Sequence, residues 1–209
     1  MRSLVINLTR FGDLLQTQPV LTGLAAEGHE AGLVCLQNFA PAAHLLRDLE
    51  SAHPVPGARL LAGLDGSWPG ALGDCLAWAD SVRREFAPER VINLTPSLAA
   101  RLMARSLAQD AGVLGFGIDE YGFGTYSTPW AAFLEATSLH RGASPFNLAD
   151  IFFKSAHLGD APRLFRLAEP GEAVVRAARE LVSAQAPAGH SGLAGIQLGA
   201  SAEKRRWPV

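Results

Sequence analysis

The chain has 209 residues and carries 18 Lys and Arg against 20 Asp and Glu, a formal charge of −2. Such a balance gives no sequence-wide electrostatic handle for a polyanion and argues against nucleic acid as a partner. The length suits one domain plus part of a second, and the two distant cysteines, Cys35 and Cys75, match neither a disulfide framework nor a metal-binding spacing, which points to a reducing compartment.

Taken in chain order, SLVIN (residues 3–7) is short, apolar and β-branched, as suits a buried parallel strand. It runs into N-L-T-R-F-G-D, a tight turn holding Gly12 and Asp13, and then into Leu14, Leu15, Val20, Leu21 and Leu24 at helical spacing. Pro19 lies inside that helical pattern without an N–H to donate, which predicts a kink or break there. AGLVCLQ (31–37) reads as a second strand and FAPAAHLLRDLE (39–50) as a second helix. A Pro- and Gly-marked stretch around HPVPG follows, with a further strand expected at ARLLAGL (58–64).

From Gly70 onward Leu72, Leu76, Ala79, Val82 and Phe86 share one helical face. RVINL (90–94) is another buried-strand candidate, followed by helical SLAARLMARSLA (97–108). Strands alternating with helices predict a parallel α/β sheet with right-handed crossovers and helices on both faces. The pattern changes at GFGID and FGTYS, which suit a small hairpin. WAAFLEATSLH, NLADIFFKSAHLG and residues 172–185 then read as helices and GLAGIQLG (192–199) as a strand. A boundary is expected between residues 160 and 170, leaving a first domain at 1–162 and, at 163–209, a linker with the incomplete start of a second domain. INLTRF and INLTPS echo each other; two copies imply similar strand-to-loop ends, not a repeat array.

No signal-peptide core precedes Asn7, Thr9, Arg10 and Asp13, and no uncharged apolar run approaches the about 20 residues that span a bilayer. In open α/β sheets ligands bind beyond the carboxyl ends of the strands, where Asp13 is expected. A carboxylate in the first turn of a helix is favoured by the exposed N–H groups and the helix dipole, and it can accept a proton. The same facts describe an ordinary helix cap, and residue chemistry leaves both open. The first βα turn holds one glycine where a dinucleotide fingerprint needs three, and neither GxxxxGK[ST] nor GxSxG occurs. The six histidines, at 29, 44, 53, 140, 157 and 190, form no metal-ligand spacing, and Trp68, Trp78 and Trp130 read as core or rim packing.

The stretch GIQLGASAEKRRWP (195–208) ends a strand on small residues and follows with Ser201, Lys204 and Arg205 before a helix start. It could hold a diphosphate through charge-assisted bonds and helix N–H groups, or serve as a solvated basic loop.

Together LVINLTRFGDLLQTQPVLTGL, VINLTPSLAARLMA and GIQLGASAEKRRWP resemble glycosyltransferase family nine, the ADP-heptose:lipopolysaccharide heptosyltransferases, in order and over essentially the whole chain. The resemblance implies a Rossmann-like domain forming the N-terminal, acceptor-side half of a GT-B fold. It implies an inverting transfer of heptose from ADP-heptose to a lipopolysaccharide inner-core hydroxyl, with no metal or other cofactor. Asp13 matches the family's base, Arg205 its phosphate-contacting cation and Ser201 the hydroxyl of the same loop, with Lys204 beside them. Acceptor contacts are expected by position at Thr9, Arg10, Gly12, Asn93, Thr95 and Ser97, each equally suited to capping or turn chemistry. The implied location is cytoplasmic, with room for peripheral contact on the inner face of the inner membrane. The family's later donor motifs have no counterpart in these residues, so turnover by this chain alone is not expected. A non-catalytic carbohydrate-binding or scaffolding module of the same fold is the alternative; a nucleotide-dependent oxidoreductase or epimerase is disfavoured by the lone glycine.

Overall fold

Ser3 to Ile6 of strand β1 (Arg2–Ile6) are wholly buried, and successive side chains of a strand leave by opposite faces. Leu4 and Ile6 therefore join Val34 and Val91 in one apolar cluster, while Val5 joins Leu33, Cys35 and Ile92 in another. A sheet apolar on both faces needs helices on both. In the computed structural model, which describes residues 1–185 apart from 110, 139, 141 and 143, that is the architecture found.

Strands β2 (Glu30–Leu36), β3 (Ser51–Val55), β4 (Arg90–Asn93), β5 (Val113–Ile118) and β6 (Gly124–Tyr126) complete a six-stranded sheet of order β3-β2-β1-β4-β5-β6. All pairs are parallel except the β5–β6 hairpin, where Phe116 faces Tyr126. Helices α1 (Phe11–Leu15) and α2 (Gln18–Ala26), with the later α7 (Leu148–Ser155), supply the cluster around Val5. On the other face α4 (Trp68–Phe86) contributes Ala79, Val82 and Phe86, and α5 (Leu98–Ala108) contributes Met103, Ala104 and Leu107. Helix α3 (Gly57–Gly66) packs on α4, and α6 (Pro129–Thr137) packs on α7.

The break expected at Pro19 lies just before it: α1 stops at Leu15 and α2 restarts at Gln18, with Pro19 in the first turn where its missing N–H costs nothing. Elsewhere the structure corrects the reading. Residues 37–45 form a 3-10 helix containing Pro41, in place of an α-helix running to residue 50, because proline cannot donate the bond an α-helix interior needs. The third strand is SAHPV, not ARLLAGL, which is α3. Pro54 is tolerated because β3 is an edge strand. The buried face of α4 carries Ala71 with Ala79, Val82 and Phe86, whereas Leu72 and Leu76 are about half exposed.

Contacts divide the chain into two compact units, Met1–Ala168 and Glu169–Val209. The Ala168 N–H donates to the Leu45 carbonyl at 2.7 Å, and Leu167 packs on the Val5 cluster. In the second unit α8 (Glu172–Gln185) is amphipathic, with Val174, Leu181 and Val182 exposed. The strand expected at 192–199 lies outside the described residues. Among the described residues no helix is long and apolar enough to cross a membrane.

Two features of the first unit make its stability testable. Arg101 on α5 is buried and reaches across to the hairpin. Its Nε donates to the Pro96 carbonyl at 3.0 Å, and Nη1 donates to the carbonyls of Gly117 at 2.6 Å and Thr125 at 3.0 Å. Its Nη2 pairs with Glu135 of α6, and the guanidinium lies 5.3 and 5.2 Å from the Phe116 and Tyr126 ring centres. Glu135 is itself partly exposed, so the main cost of removing Arg101 is the buried carbonyls it leaves unpaired, about 1–3 kcal/mol for each such group. Arg101→Met should approach that loss in urea unfolding, with faster amide exchange along residues 117–125; Glu135→Gln, which keeps an acceptor, should cost less.

The buried His53 hydrogen-bonds Ser51 at 2.9 Å and meets the Phe86 ring edge-on. Burial lowers its pKa below the ordinary 6.5, partly offset by Glu85. His29, against Ser3, is lowered likewise by burial and then by Arg90. The unfolded chain thus takes up these protons first, so the two histidines withdraw stability as the pH falls through 6.5 toward their lower folded-state values. The urea midpoint of His53→Gln should change less between pH 8 and pH 5.5 than that of the wild type, two pH values chosen to bracket about 6.5.

Candidate functional site

The strand order reverses at β1, which pairs β2 on one side and β4 on the other. In a parallel sheet with helices on both faces, this is where the loops beyond the carboxyl ends part and leave a crevice. The two loops that border it are built alike. Asn7 follows β1 and its Oδ1 accepts the N–H of Thr9 at 3.1 Å; Asn93 ends β4 and its Oδ1 accepts the N–H of Thr95 at 3.0 Å. The echo between INLTRF and INLTPS is thus one local device used twice, an Asx turn that leads the chain out of the sheet.

The side chains then tie the loops down. Asn7 Nδ2 donates to Thr17 Oγ1 at 2.7 Å, fixing the start of α2 to the end of β1, and more weakly to the Asp13 carbonyl at 3.4 Å. Thr95 Oγ1 accepts the Leu8 N–H at 2.9 Å, joining the two loops, while Asn93 Nδ2 donates to the Phe116 carbonyl at 2.8 Å. Gly115, opposite Asn93, has φ of +80°, and a Cβ there would lie 2.1 Å from the Asn93 carbonyl oxygen. Only glycine permits that approach.

Asp13 is the third residue of α1, half-buried, and its neighbours define its chemistry by what they leave undone. The α1 N-cap, Arg10, makes no side-chain capping bond. Among the described residues the Asp13 carboxylate has no hydrogen-bond or ion-pair partner, so it does not act as a cap. Arg10, Phe11 and Gly12 are exposed, and a Cβ on Gly12 would meet nothing within 4 Å. Bare backbone beside an unpartnered carboxylate leaves room for a ligand to come close.

Asp13 and Thr9 line one side of a cleft of about 230 Å³. Leu94 and Pro96, from the loop after β4, form its floor, while Leu134, Thr137 and Ser138 of α6 and the residue after it form a wall. Ser144, Phe146 and the α7 side chains Leu148, Ile151 and Phe152 complete it. The Arg101–Glu135 pair holds α6, and with it this wall, against α5. The cleft is mostly apolar, with one carboxylate and several hydroxyls, suited to a small polyol presenting both a C–H face and a hydroxyl to deprotonate.

The other residues singled out in the sequence are placed as follows. Thr9 lines the cleft, and Arg10 and Gly12 stand on the turn beside it. Asn93 and Thr95 are buried with their side chains engaged in the loop network described above. Ser97 caps α5, accepting the Ala100 N–H at 3.3 Å. Ser201, Lys204 and Arg205 lie outside the described residues. Sequence reasoning passed over Asn7, Phe146 and Arg101. Two of them carried a readable signal: Asn7 heads the repeated Asn-Leu-Thr, and Arg101 shares the helical stripe of Ala104 and Ala108.

No family model and no curated protein sequence matches the chain. Solved structures do. The glycosyl transferase family 9 structure from Veillonella parvula DSM 2008 aligns over 99% of this chain and 56% of its own, with a TM-score of 0.70 at 19% identity. E. coli heptosyltransferase WaaC with ADP aligns over 100% of this chain and 61% of its own (TM-score 0.57, 20% identity), and it is also matched with ADP-2-deoxy-2-fluoro heptose bound. E. coli ADP-heptose lps heptosyltransferase II aligns over 88% of this chain and 51% of its own (TM-score 0.55, 13% identity). The chain therefore spans about half to three fifths of the length of these structures. At these identities the likeness is one of fold: the mostly parallel α/β sheet, flanked by helices, is the architecture of family 9 glycosyltransferases of the GT-B type.

Proposed function

We propose that this chain is the acceptor-side half of a family 9 glycosyltransferase, with Asp13 as its general base. The observation that carries the reading is the Asp13 carboxylate, unpartnered among the described residues in the lining of a cleft of about 230 Å³. It stands at the topological switch point of a sheet shared with heptosyltransferases. In this reading the donor is ADP-heptose and the acceptor an inner-core sugar of lipopolysaccharide, met on the cytoplasmic side of the inner membrane. The bound ADP and ADP-sugar analogue of the E. coli neighbours support a nucleotide-sugar donor.

The reaction is a single displacement. The acceptor oxygen attacks the anomeric carbon from the face opposite the nucleotide, its proton passes to a carboxylate oxygen of Asp13, and the bond to the diphosphate breaks with its electron pair leaving on ADP. Charge growing on the leaving diphosphate calls for cations and N–H donors, roles we assign to Lys204, Arg205 and Ser201. Thr9 and Arg10 flank the acceptor. Asn93 and Thr95 act from behind by holding the two loops in register, and Ser97 acts by fixing the start of α5. Turnover belongs to a polypeptide that also supplies a donor-side domain; the 209 residues alone are expected to bind core oligosaccharide without releasing ADP.

The test is ADP release and sugar transfer by the full reading frame that encodes these residues, supplied with ADP-heptose and a heptose-free core oligosaccharide. Asp13→Asn should lower kcat by about 10²–10⁴-fold, the range for losing a positioned base, with unchanged circular dichroism and acceptor KM. Near-normal turnover in that variant removes Asp13 from the role.

Gly12→Ala separates folding from function. A methyl here meets no atom within 4 Å among the described residues beyond its own turn, so the fold should be as stable or gain about 0.5–1 kcal/mol from the better helix former. If the acceptor approaches over this backbone, kcat/KM should fall while the urea midpoint holds or rises.

A further inference from the structure

We infer that Phe146 is the platform on which the acceptor sugar stacks, and so a specificity-determining residue of the reaction; the inference rests on the reading of Asp13 as base. Phe146 sits on the loop just before Asn147, the N-cap of α7, and its side chain is 46% exposed although it lines the cleft that holds Asp13. Its ring is not loose. It meets Trp130 edge-on at 5.1 Å and 77°, and Phe133 at 5.7 Å and 75°, while Trp130 and Phe133 meet each other at 6.3 Å. Both partners come from α6, three residues apart and therefore on one side of that helix, the helix whose Leu134 and Thr137 form the cleft wall.

The backbone of Phe146 is pinned as well. Ser144 Oγ accepts its N–H at 3.3 Å and lies 3.1 Å from its carbonyl oxygen. Two rings and a serine thus hold the Phe146 ring in place in the cleft lining before any ligand arrives.

An aromatic ring held at the edge of a cleft is matched to a sugar. The π-face of a ring is electron-rich and its partners turn their positive edges toward it. The axial C–H groups on one side of a pyranose present such an edge, while its hydroxyls point outward toward Thr9, Ser138 and the base. A cleft of about 230 Å³ is smaller than the about 300–1,000 Å³ that takes a drug-sized ligand, so it admits one ring of the acceptor and leaves the rest of the oligosaccharide outside. Because the ring is held in advance, little ordering cost falls on binding. Its contribution is to hold the acceptor ring in the cleft equally in the ground and transition states, so it acts on acceptor affinity.

The experiment combines calorimetric titration of the protein with heptose-free core oligosaccharide and steady-state transfer from ADP-heptose, in the wild type and in Phe146→Leu, Phe146→Tyr and Asp13→Asn. Loss of a contact made equally in ground and transition states should weaken acceptor affinity and raise acceptor KM by about tenfold in Phe146→Leu, with donor KM and kcat within about twofold. Phe146→Tyr, which keeps the π-face, should restore both. Asp13→Asn should bind the oligosaccharide as the wild type does and lose kcat. A urea midpoint for Phe146→Leu close to wild type separates lost stacking from lost folding, as suits a side chain this exposed. Equal affinity of Phe146→Leu and wild type, or failure of Phe146→Tyr to restore binding, overturns the platform while Asp13→Asn still reports on the base. A wild type with neither affinity nor transfer overturns both.

Discussion

The site depends on one buried amide. Asn7 is fully enclosed at the end of β1, and a side chain with two donors and an acceptor cannot be left there unsatisfied without a cost comparable to a lost hydrogen bond or more. Its partners are the Thr9 N–H and hydroxyl, the Thr17 hydroxyl and the Asp13 carbonyl. They belong to the loop, to α2 and to α1, so satisfying one amide fixes the positions of three elements. Helix α1 has five residues, too few to be stable by itself in water. It holds its place because its two ends are anchored, with Leu14 driven into the core. Asp13 is rigid by inheritance from Asn7.

A second polar anchor builds the far wall. Arg101 is a buried charge whose guanidinium is spent on three carbonyls, one carboxylate and two aromatic faces. An antiparallel hairpin appended to the edge of a parallel sheet makes few ladder bonds, and β6 is only three residues long and exposed. The arginine replaces the missing ladder, binding α5, the hairpin and α6 into one piece. Helix α6 then carries Trp130 and Phe133 to where they hold Phe146. The two sides of the cleft are thus set by different chemistry, a neutral amide network beneath Asp13 and a buried cation beneath the aromatic wall.

How much of this was legible follows from the same physics. β1, β2 and β4 could be read because a strand buried on both faces is a short unbroken apolar run, and β1 and β4 each end in the same Asn-Leu-Thr. ARLLAGL was mistaken for a strand because a brief apolar run carries no period that separates strand from helix, and SAHPV was passed over because Pro54 is admissible only on an edge that the sequence does not reveal. On α4 the apolar stripe was placed one residue off, at Leu72 in place of Ala71, since leucines outweigh an alanine in any hydropathy pattern. The position of Asp13 was readable, but whether it caps or stands free is a matter of one hydrogen bond. Arg101 shares the stripe of Ala104 and Ala108, which places it on the buried side of α5, but its partners across the hairpin are too distant in sequence to read. Nothing marked Phe146, whose partners are distant in sequence by 13 and 16 residues, as the numbers of Phe133 and Trp130 show.

The polar groups at this end of the sheet fall into two sets. Asn7, Thr17, Asn93, Thr95 and Ser97 spend their hydrogen-bonding capacity on one another and on nearby backbone, so little of it is left for a ligand. Had the Asp13 carboxylate been among them, as an ordinary N-terminal cap, it would add stability at the helix start. The fold forgoes that bond on its shortest helix and sets bare glycine backbone next to the carboxylate. An aromatic ring that two others hold in place is likewise left half in solvent. Carboxylate, open backbone and the exposed part of this ring line or border one cleft. Under the proposed reading, a proton acceptor, space for an approaching hydroxyl and a ring for its sugar to stack on are what a carbohydrate acceptor requires.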